Sequence, residues 1–104
     1  MISVYADKKD LYLETTGHAE DAPHGQSIVC AAVSTIMQFV ECYAGDQCNK
    51  YKESGTMYIR LYEELPGAEL VINTACKMLW MLADQYPKDV SVYIMGDRDH
   101  ADPA

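Results

Sequence analysis

The alternation of apolar and polar positions along the chain predicts five strands. Such alternation is typical of strands that bury one face of a sheet. Polar turns at Asp7–Asp10 and Glu53–Gly55 separate neighbouring strands, so the first two strands are expected to form a hairpin. The segment 47–52 is polar and is assigned as an edge strand. The predicted strands are 2–6, 11–15, 47–52, 56–62 and 90–95.

Two longer segments have apolar residues at spacings of three and four, the period of a helix with one buried face. The first helix is predicted over 28–43, with Ser27 as its N-terminal cap. The second is predicted over 68–85 and ends before Pro87. The expected buried faces contain Ile28, Ala32, Ile36, Phe39, Val40 and Tyr43 in the first helix, and Val71, Ala75, Met78, Leu79 and Leu82 in the second.

The predicted order of elements is β-β-α-β-β-α-β, which indicates an α+β fold. We expect a two-layer sandwich with the two helices packed on one face of a mixed sheet. With 104 residues the chain is long enough for one domain and too short for two. Residues 1–96 are expected to form that domain, and the polar segment 97–104 is expected to be a disordered tail.

The segment between the second strand and the first helix has no usable period. Residues 17–26 contain Gly17, Gly25 and a proline, and they are predicted to form a loop. A loop of this length in a compact domain often carries binding or catalytic residues. The chemistry of the chain is therefore expected at or beside this loop.

The chain is acidic, with 16 acidic and 8 basic side chains and a formal net charge of −8. A protein that follows nucleic acid phosphates needs a basic stripe, and the sequence has none, so no direct nucleic acid binding is expected. The charge instead favours attraction to basic partners.

The sequence also bears on where the protein works. No apolar run reaches the length of a membrane span, and the first residues lack the basic and apolar regions of a secretory signal. We therefore expect a cytoplasmic protein with no membrane association. The cysteines form no C-x-x-C pair and are expected to be reduced thiols. They are Cys30, Cys42, Cys48 and Cys76.

Cys30 is the candidate nucleophile, because it is the third residue of the first predicted helix. Amides in the first turn of a helix have no acceptor within the helix, and the helix dipole is positive at this end. Both effects stabilise a thiolate, the form of cysteine that attacks carbonyl carbons. The amides of Cys30 and Ala31 are candidates for binding a developing oxyanion.

His18, directly after Gly17, is the candidate base. Its imidazole could take the proton of the Cys30 thiol and later give it to a leaving amine, provided that the loop folds back toward the helix. Asp21 or a backbone carbonyl could orient the ring. Each residue alone has an ordinary interpretation, since helical cysteines are commonly core residues and loop histidines are commonly solvated. The other three cysteines have no comparable setting and are interpreted as structural.

A zinc site made by His18, His24 and Cys30 is an alternative, because histidine and cysteine are zinc ligands. The six-residue spacing does not match a tight ligand motif, and no fourth ligand is evident. No metal and no cofactor are therefore predicted.

Two blocks of sequence resemble the signature of the ribosomal-processing (Prp) cysteine proteases. These are G-H-A at 17–19 and G-Q-S-I-V-C-A-A-V-S at 25–34, in the order and with the separation found in that family. The family has aspartate where this chain has Ser27. Because both residues cap helices well, the structural role can be kept, and the neutral serine does not oppose a thiolate at Cys30.

The resemblance implies that Cys30 is the nucleophile and His18 the base, with Gly17, Gly25 and Ser27 shaping the loop and the helix cap. It also implies a homodimer and a flexible loop over the site. The implied substrate is a large-subunit ribosomal protein, which is basic and loses a short N-terminal extension, or a phage capsid or scaffold protein. A non-catalytic dimeric relative that binds a peptide on the same scaffold is the alternative hypothesis.

Overall fold

The computed structural model describes residues 1–17 and 28–95 of the chain. It confirms the predicted order of elements, and every boundary lies within one residue of its predicted position. The strands are β1 (Ile2–Asp7), β2 (Tyr12–Thr16), β3 (Cys48–Glu53), β4 (Thr56–Leu61) and β5 (Val90–Met95), and the helices are α1 (Ile28–Ala44) and α2 (Ala68–Gln85).

The five strands form one mixed sheet in the order β3-β4-β2-β1-β5. β1 lies parallel to β5, whereas the other neighbouring strands are antiparallel. Successive residues of a strand point to opposite faces, so the alternating pattern gives the sheet one apolar face. Ile2, Val4 and Ala6 of β1 lie on that face and are buried with the apolar sides of both helices. The predicted two-layer α+β sandwich is therefore confirmed.

The buried side of α1 differs from the predicted one. Ile28, Phe39 and Tyr43 were expected in the core, but all three are exposed, Ile28 to 67%. This helix is apolar around most of its circumference. Apolar residues at helical spacing therefore form two overlapping stripes, one beginning at Ile28 and one at Val29, and the sequence pattern does not indicate which stripe is buried. The buried stripe consists of Val29, Val33, Ile36, Met37, Val40 and Ala44.

The same kind of correction applies to one position of α2. Met78 was expected in the core and is exposed, whereas Val71, Ala75 and Leu79 are buried as predicted. The buried side of α2 instead includes Ile72 and Cys76, so the helix is rotated slightly from the predicted orientation.

The turn between β1 and β2 places one apolar residue in an unusual backbone conformation. The carboxylate of Asp7 accepts hydrogen bonds from the amides of Lys9 and Asp10 at 3.1 and 3.3 Å, which ends β1. Leu11, predicted as the first residue of the second strand, has a φ of 56° and belongs to the turn. Its side chain is nevertheless buried, and its carbonyl accepts the amide of Leu61 at 2.9 Å, which ties the turn to β4.

The prediction of a tail over 97–104 falls outside the described residues and stays a prediction, as does the extent of the domain to residue 96. Neither of the two helices in the described ranges has the length and apolarity needed to cross a bilayer.

Candidate active site

A cleft of about 190 Å³ lies between the first half of α1 and the ends of four strands, β1 to β4. Ile2 of β1 and Thr15 of β2 contribute from the sheet. The turn between β3 and β4 closes one side of the cleft. Pockets that enclose a drug-sized ligand usually measure ~300–1,000 Å³. The cleft is therefore suited to a short part of a longer chain rather than to an enclosed small molecule.

Cys30 lines this cleft from the first turn of α1. It is half-buried and packs against the hydrophobic core at the edge of the buried stripe, directly after Val29. Cys30 therefore lies between the apolar interior and an open cleft. As the third residue of the helix, Cys30 lies where the positive end of the helix dipole stabilises an anion.

The other three cysteines lie in different surroundings, and all four are thiols rather than disulfides. Cys76 is buried in α2 and only 1% exposed, whereas Cys42 is exposed near the end of α1. Burial raises the pKa of the Cys48 thiol, the charge of Lys50 opposes the shift, and nearby carboxylates add to it. Cys76 lies in the core, as a structural thiol does, whereas the structural interpretation of Cys42 and Cys48 stays a prediction.

Gly17 joins the end of β2 to the turn between β3 and β4. Its amide donates a hydrogen bond to the carbonyl of Gly55 at 2.9 Å, and both glycines line the cleft. Gly17 has a φ of 91°, and a Cβ at this position would collide with the carbonyl oxygen of Met1. The backbone at the mouth of the cleft therefore requires glycine at position 17.

Several predicted site residues fall outside the described ranges. His18, the proposed base, and Gly25 and Ser27, the proposed loop and cap residues, are among them, so their roles stay predictions. Ala31 is described and exposed on α1, but it is not part of the cleft lining. By the ordinary helical pattern its amide would donate to position 27, also outside the described residues, so its role in binding an oxyanion stays a prediction as well.

The zinc alternative is also untested, since His18 and His24 lie outside the described residues. Over residues 1–17 and 28–95, no three side chains of histidine, cysteine, aspartate or glutamate come close enough to hold a metal ion.

The structure adds residues to the site that the sequence analysis did not single out. Ser34 and Gln38 follow Cys30 by one and two turns of α1 and line the same cleft. The spacing of four was a signal for these two positions, because residues at i and i+4 share a helix face. Lys52 and Glu53 line the cleft from β3, and no local signal indicated this, because their position depends on which strand lies beside β2.

The lining of the cleft combines an apolar floor with polar sides. Val33, Met37 and Met57 are buried and form the floor, whereas the ionisable side chains of Lys52 and Glu53 stand at the hairpin. Such a surface can hold an apolar side chain of a peptide and leave its backbone near the first turn of α1. A nucleophile at that turn would then face a peptide carbonyl.

Comparisons with known proteins identify the family of the chain. The family model described as cysteine protease Prp matches residues 1–91 of the chain. The crystal structure of an essential ribosomal processing protease Prp from S. aureus, in complex with a covalently linked product peptide, has a TM-score of 0.78 at 20% identity. The similarity covers 90% of this chain and 99% of that chain.

Two further solved structures have the same fold. The S. aureus protease in complex with a substrate peptide gives a TM-score of 0.75 at 20% identity, with the same coverage of 90% and 99%. SMU.848 from Streptococcus mutans gives 0.62 at 23% identity and covers 90% of this chain and 91% of that chain. No match was found among curated proteins.

At these identities the structural likeness shows a common fold, and the family match extends over most of the chain. The chain therefore belongs to the family of the cysteine protease Prp.

Proposed function

We propose that this protein is a cysteine endopeptidase in which Cys30 is the nucleophile and His18 the base. The observation that carries the proposal is that Cys30 and Gly17 line one cleft, although they lie on opposite sides of the loop in the sequence. His18 directly follows Gly17 in the sequence, and in this proposal its imidazole reaches the thiol from there. In this proposal the two side chains form a nucleophile and base pair.

The proposed reaction proceeds through a thioester. The thiolate of Cys30, whose proton has passed to His18, attacks the carbonyl carbon of the scissile peptide bond, and the carbonyl electron pair moves to oxygen. The C–N bond then breaks as the carbonyl re-forms, and His18 gives the proton to the leaving amine. Water attacks the thioester, His18 takes a proton from it, and the C–S bond breaks to release a carboxylate and the thiolate.

The oxyanion of each tetrahedral intermediate needs hydrogen-bond donors that are already in place. In this proposal the amide of Cys30 supplies one at the positive end of α1, and the amide of Ala31 supplies a second by sharing its proton between the helical acceptor at position 27 and the oxyanion. The position of Cys30 as the third residue of the helix supports its part. Ser27 in the place of the family's aspartate keeps a good helix cap and adds no negative charge beside the sulfur.

The proposed substrate is a large-subunit ribosomal protein that loses a short N-terminal extension, or a phage capsid or scaffold protein. Two of the similar structures are of a ribosomal processing protease, one of them with a covalently linked product peptide, which supports this substrate class and a covalent mechanism. The net charge of −8 suits a basic substrate. The proposal includes a homodimer that works in the cytoplasm.

Mass spectrometry of an extended large-subunit ribosomal protein, incubated with the purified chain, tests the proposal. We expect the substrate to lose its extension, and the variants Cys30→Ala and His18→Ala to leave it intact. Cys42→Ala, which removes an exposed thiol from the same helix, is the matched control and should cut at the normal rate. A substrate that binds the unaltered chain and stays intact would favour the non-catalytic peptide-binding relative instead.

A further inference from the structure

A row of tyrosines crosses the outer face of the sheet, with one ring from each strand. The centroids of Tyr51 and Tyr58 are 5.4 Å apart, and those of Tyr58 and Tyr12 are 5.7 Å apart. Tyr12 and Tyr5 are separated by 6.1 Å, and Tyr5 and Tyr93 by 5.8 Å. These distances are typical of aromatic pairs in contact. We call these five residues, from β3 through β4, β2 and β1 to β5, the tyrosine row.

Strand register explains why the tyrosine row is continuous. Tyr5 is paired with Tyr93 and Tyr51 with Tyr58, and Tyr12 lies diagonally between the two pairs. All five rings are on the face opposite the helices, so they contribute nothing to the core between sheet and helices. Tyr93 is 62% exposed and Tyr51 is 40% exposed at the two ends of the row.

The face that carries the tyrosine row is negatively charged. Among the outward positions of the five strands, the carboxylates are those of Asp7, Glu14 and Glu53, and Arg60 supplies the single guanidinium. The hydroxyl of Tyr12 donates to Oε1 of Glu14 at 2.5 Å, which holds that carboxylate among the rings. A cation approaching this face therefore meets both aromatic rings and negative charge.

Arg60 shows how this face accommodates a guanidinium. Its Cζ lies 5.5 Å from the centroid of the Tyr12 ring, and its Nη2 is 4.0 Å from Oδ2 of Asp10. Arginine is attracted both to the faces of aromatic rings and to carboxylates, and this face offers it one of each. Further rings and carboxylates along the row offer the same chemistry to cations from outside the chain.

We propose that the tyrosine row is a docking face for an arginine- and lysine-rich segment of a partner polypeptide. The negative charge of the face and of the whole chain repels nucleic acid phosphates, which argues against stacking of single-stranded RNA on these rings. A second copy of the chain would bring the same carboxylates against each other. A basic polypeptide satisfies both the rings and the charge.

The docking face and the cleft lie on opposite sides of the sheet and meet at the end of the β3–β4 hairpin. The cleft opens on the helix side of the sheet, whereas the tyrosine row is on the other side. Glu53 connects the two, because it lines the cleft and accepts a hydrogen bond from Tyr51. A partner held by the row could therefore reach the cleft around the end of the hairpin. Docking itself does not depend on the proposed protease activity.

Fluorescence anisotropy of a labelled oligoarginine peptide, titrated with the Cys30→Ala variant, tests the docking face without interference from cleavage. In this background we expect Tyr93→Leu and Tyr51→Leu each to weaken binding by about two- to fivefold, the effect of removing one exposed cation–π contact. Tyr86→Leu, which removes an exposed tyrosine at the end of α2, should change nothing. Tyr93 is the most exposed ring of the row, so its replacement leaves the core intact.

Charge is tested by Glu14→Gln, which should weaken binding more than Glu69→Gln, an equal change of charge in the first turn of α2. Equal losses in both variants would mean general attraction to an acidic protein and would overturn the proposal. It would also be overturned if the tyrosine variants lost binding of an oligouridine rather than of the peptide. Loss of a dimer in those variants, seen by sedimentation equilibrium, would mean that a second copy covers the row, which also overturns it.

Discussion

At the scale of single residues, the proposed protease can be tested by comparing the reactivity of its four thiols, because they have different surroundings. Iodoacetamide at near-neutral pH should label Cys30 roughly tenfold or more faster than Cys42, as expected of a nucleophile that works with a neighbouring base. Cys42, exposed near the other end of α1, represents an ordinary thiol. Cys76 should be slow because it is buried, and Cys48 because burial raises its pKa. Tandem mass spectrometry locates the label, and equal rates at Cys30 and Cys42 would contradict the proposed nucleophile.

Tyr12 determines how the fold responds to alkali. Burial raises the pKa of Tyr12 well above its ordinary value of 10.0, and the hydrogen bond to Glu14 and its charge raise it further. The unfolded chain therefore loses this proton at a lower pH than the folded chain does. The stability that the neutral phenol contributes is complete below pH 10.0 and is lost as the pH rises toward the folded pKa.

Urea unfolding at about pH 8 and about pH 11 measures this effect. The unaltered chain should lose more stability between the two values than Tyr12→Phe does, because phenylalanine has no proton to lose. Tyr93→Phe, at an exposed ring of the same row, is the control for removal of a hydroxyl. If the Tyr12→Phe variant and the unaltered chain lost equal stability, the assignment of the shift to Tyr12 would be wrong.

At the scale of the elements, the features that could be predicted from the sequence are those that depend on local pattern, such as where a helix or strand begins and ends. The bounds of α2 and β5 were found as predicted, because alternation, helical spacing and the Pro-Gly and Pro signals are all local. The rotation of α1 was not predicted correctly, since Ile28 and Val29 both begin apolar stripes and only packing selects one. The hairpin residues of the cleft could not be found either, because strand order depends on contacts between distant parts of the chain.

The junction between β2 and the hairpin depends on one residue, Gly17. Gly17→Ala should lower the free energy of unfolding by about 1–2 kcal/mol from the positive φ alone, and by more because a Cβ meets the carbonyl of Met1. Gly45→Ala is the matched control, since Gly45 also has a positive φ but open space around it. Urea unfolding of both variants separates backbone strain from collision. Equal losses would show that the Met1 contact has no role.

At the scale of the whole molecule, the chain has two candidate binding surfaces on opposite sides of the sheet. The cleft with Cys30 lies on the helix side, and the tyrosine row lies on the outer face. The whole chain has a formal net charge of −8. The family could be inferred from two short blocks around the loop, and strand alternation places several tyrosines on the exposed face, but the contacts that make the tyrosine row continuous could not be inferred. Its members are spread from Tyr5 to Tyr93, and only the pairing of strands brings them together.

The overall charge makes the proposed cleavage sensitive to salt. For an intact basic substrate we expect kcat/KM to fall several-fold as ionic strength rises from about 0.05 to about 0.3 M, because the screening length shrinks below ~10 Å in this range. The value of kcat should change little, since screening acts on encounter rather than on the thioester chemistry. A short neutral peptide spanning the cleavage site is the control and should show almost no dependence. If peptide and intact protein responded alike, recognition would be confined to the cleft, and the charge of the chain would have no part in selecting its substrate.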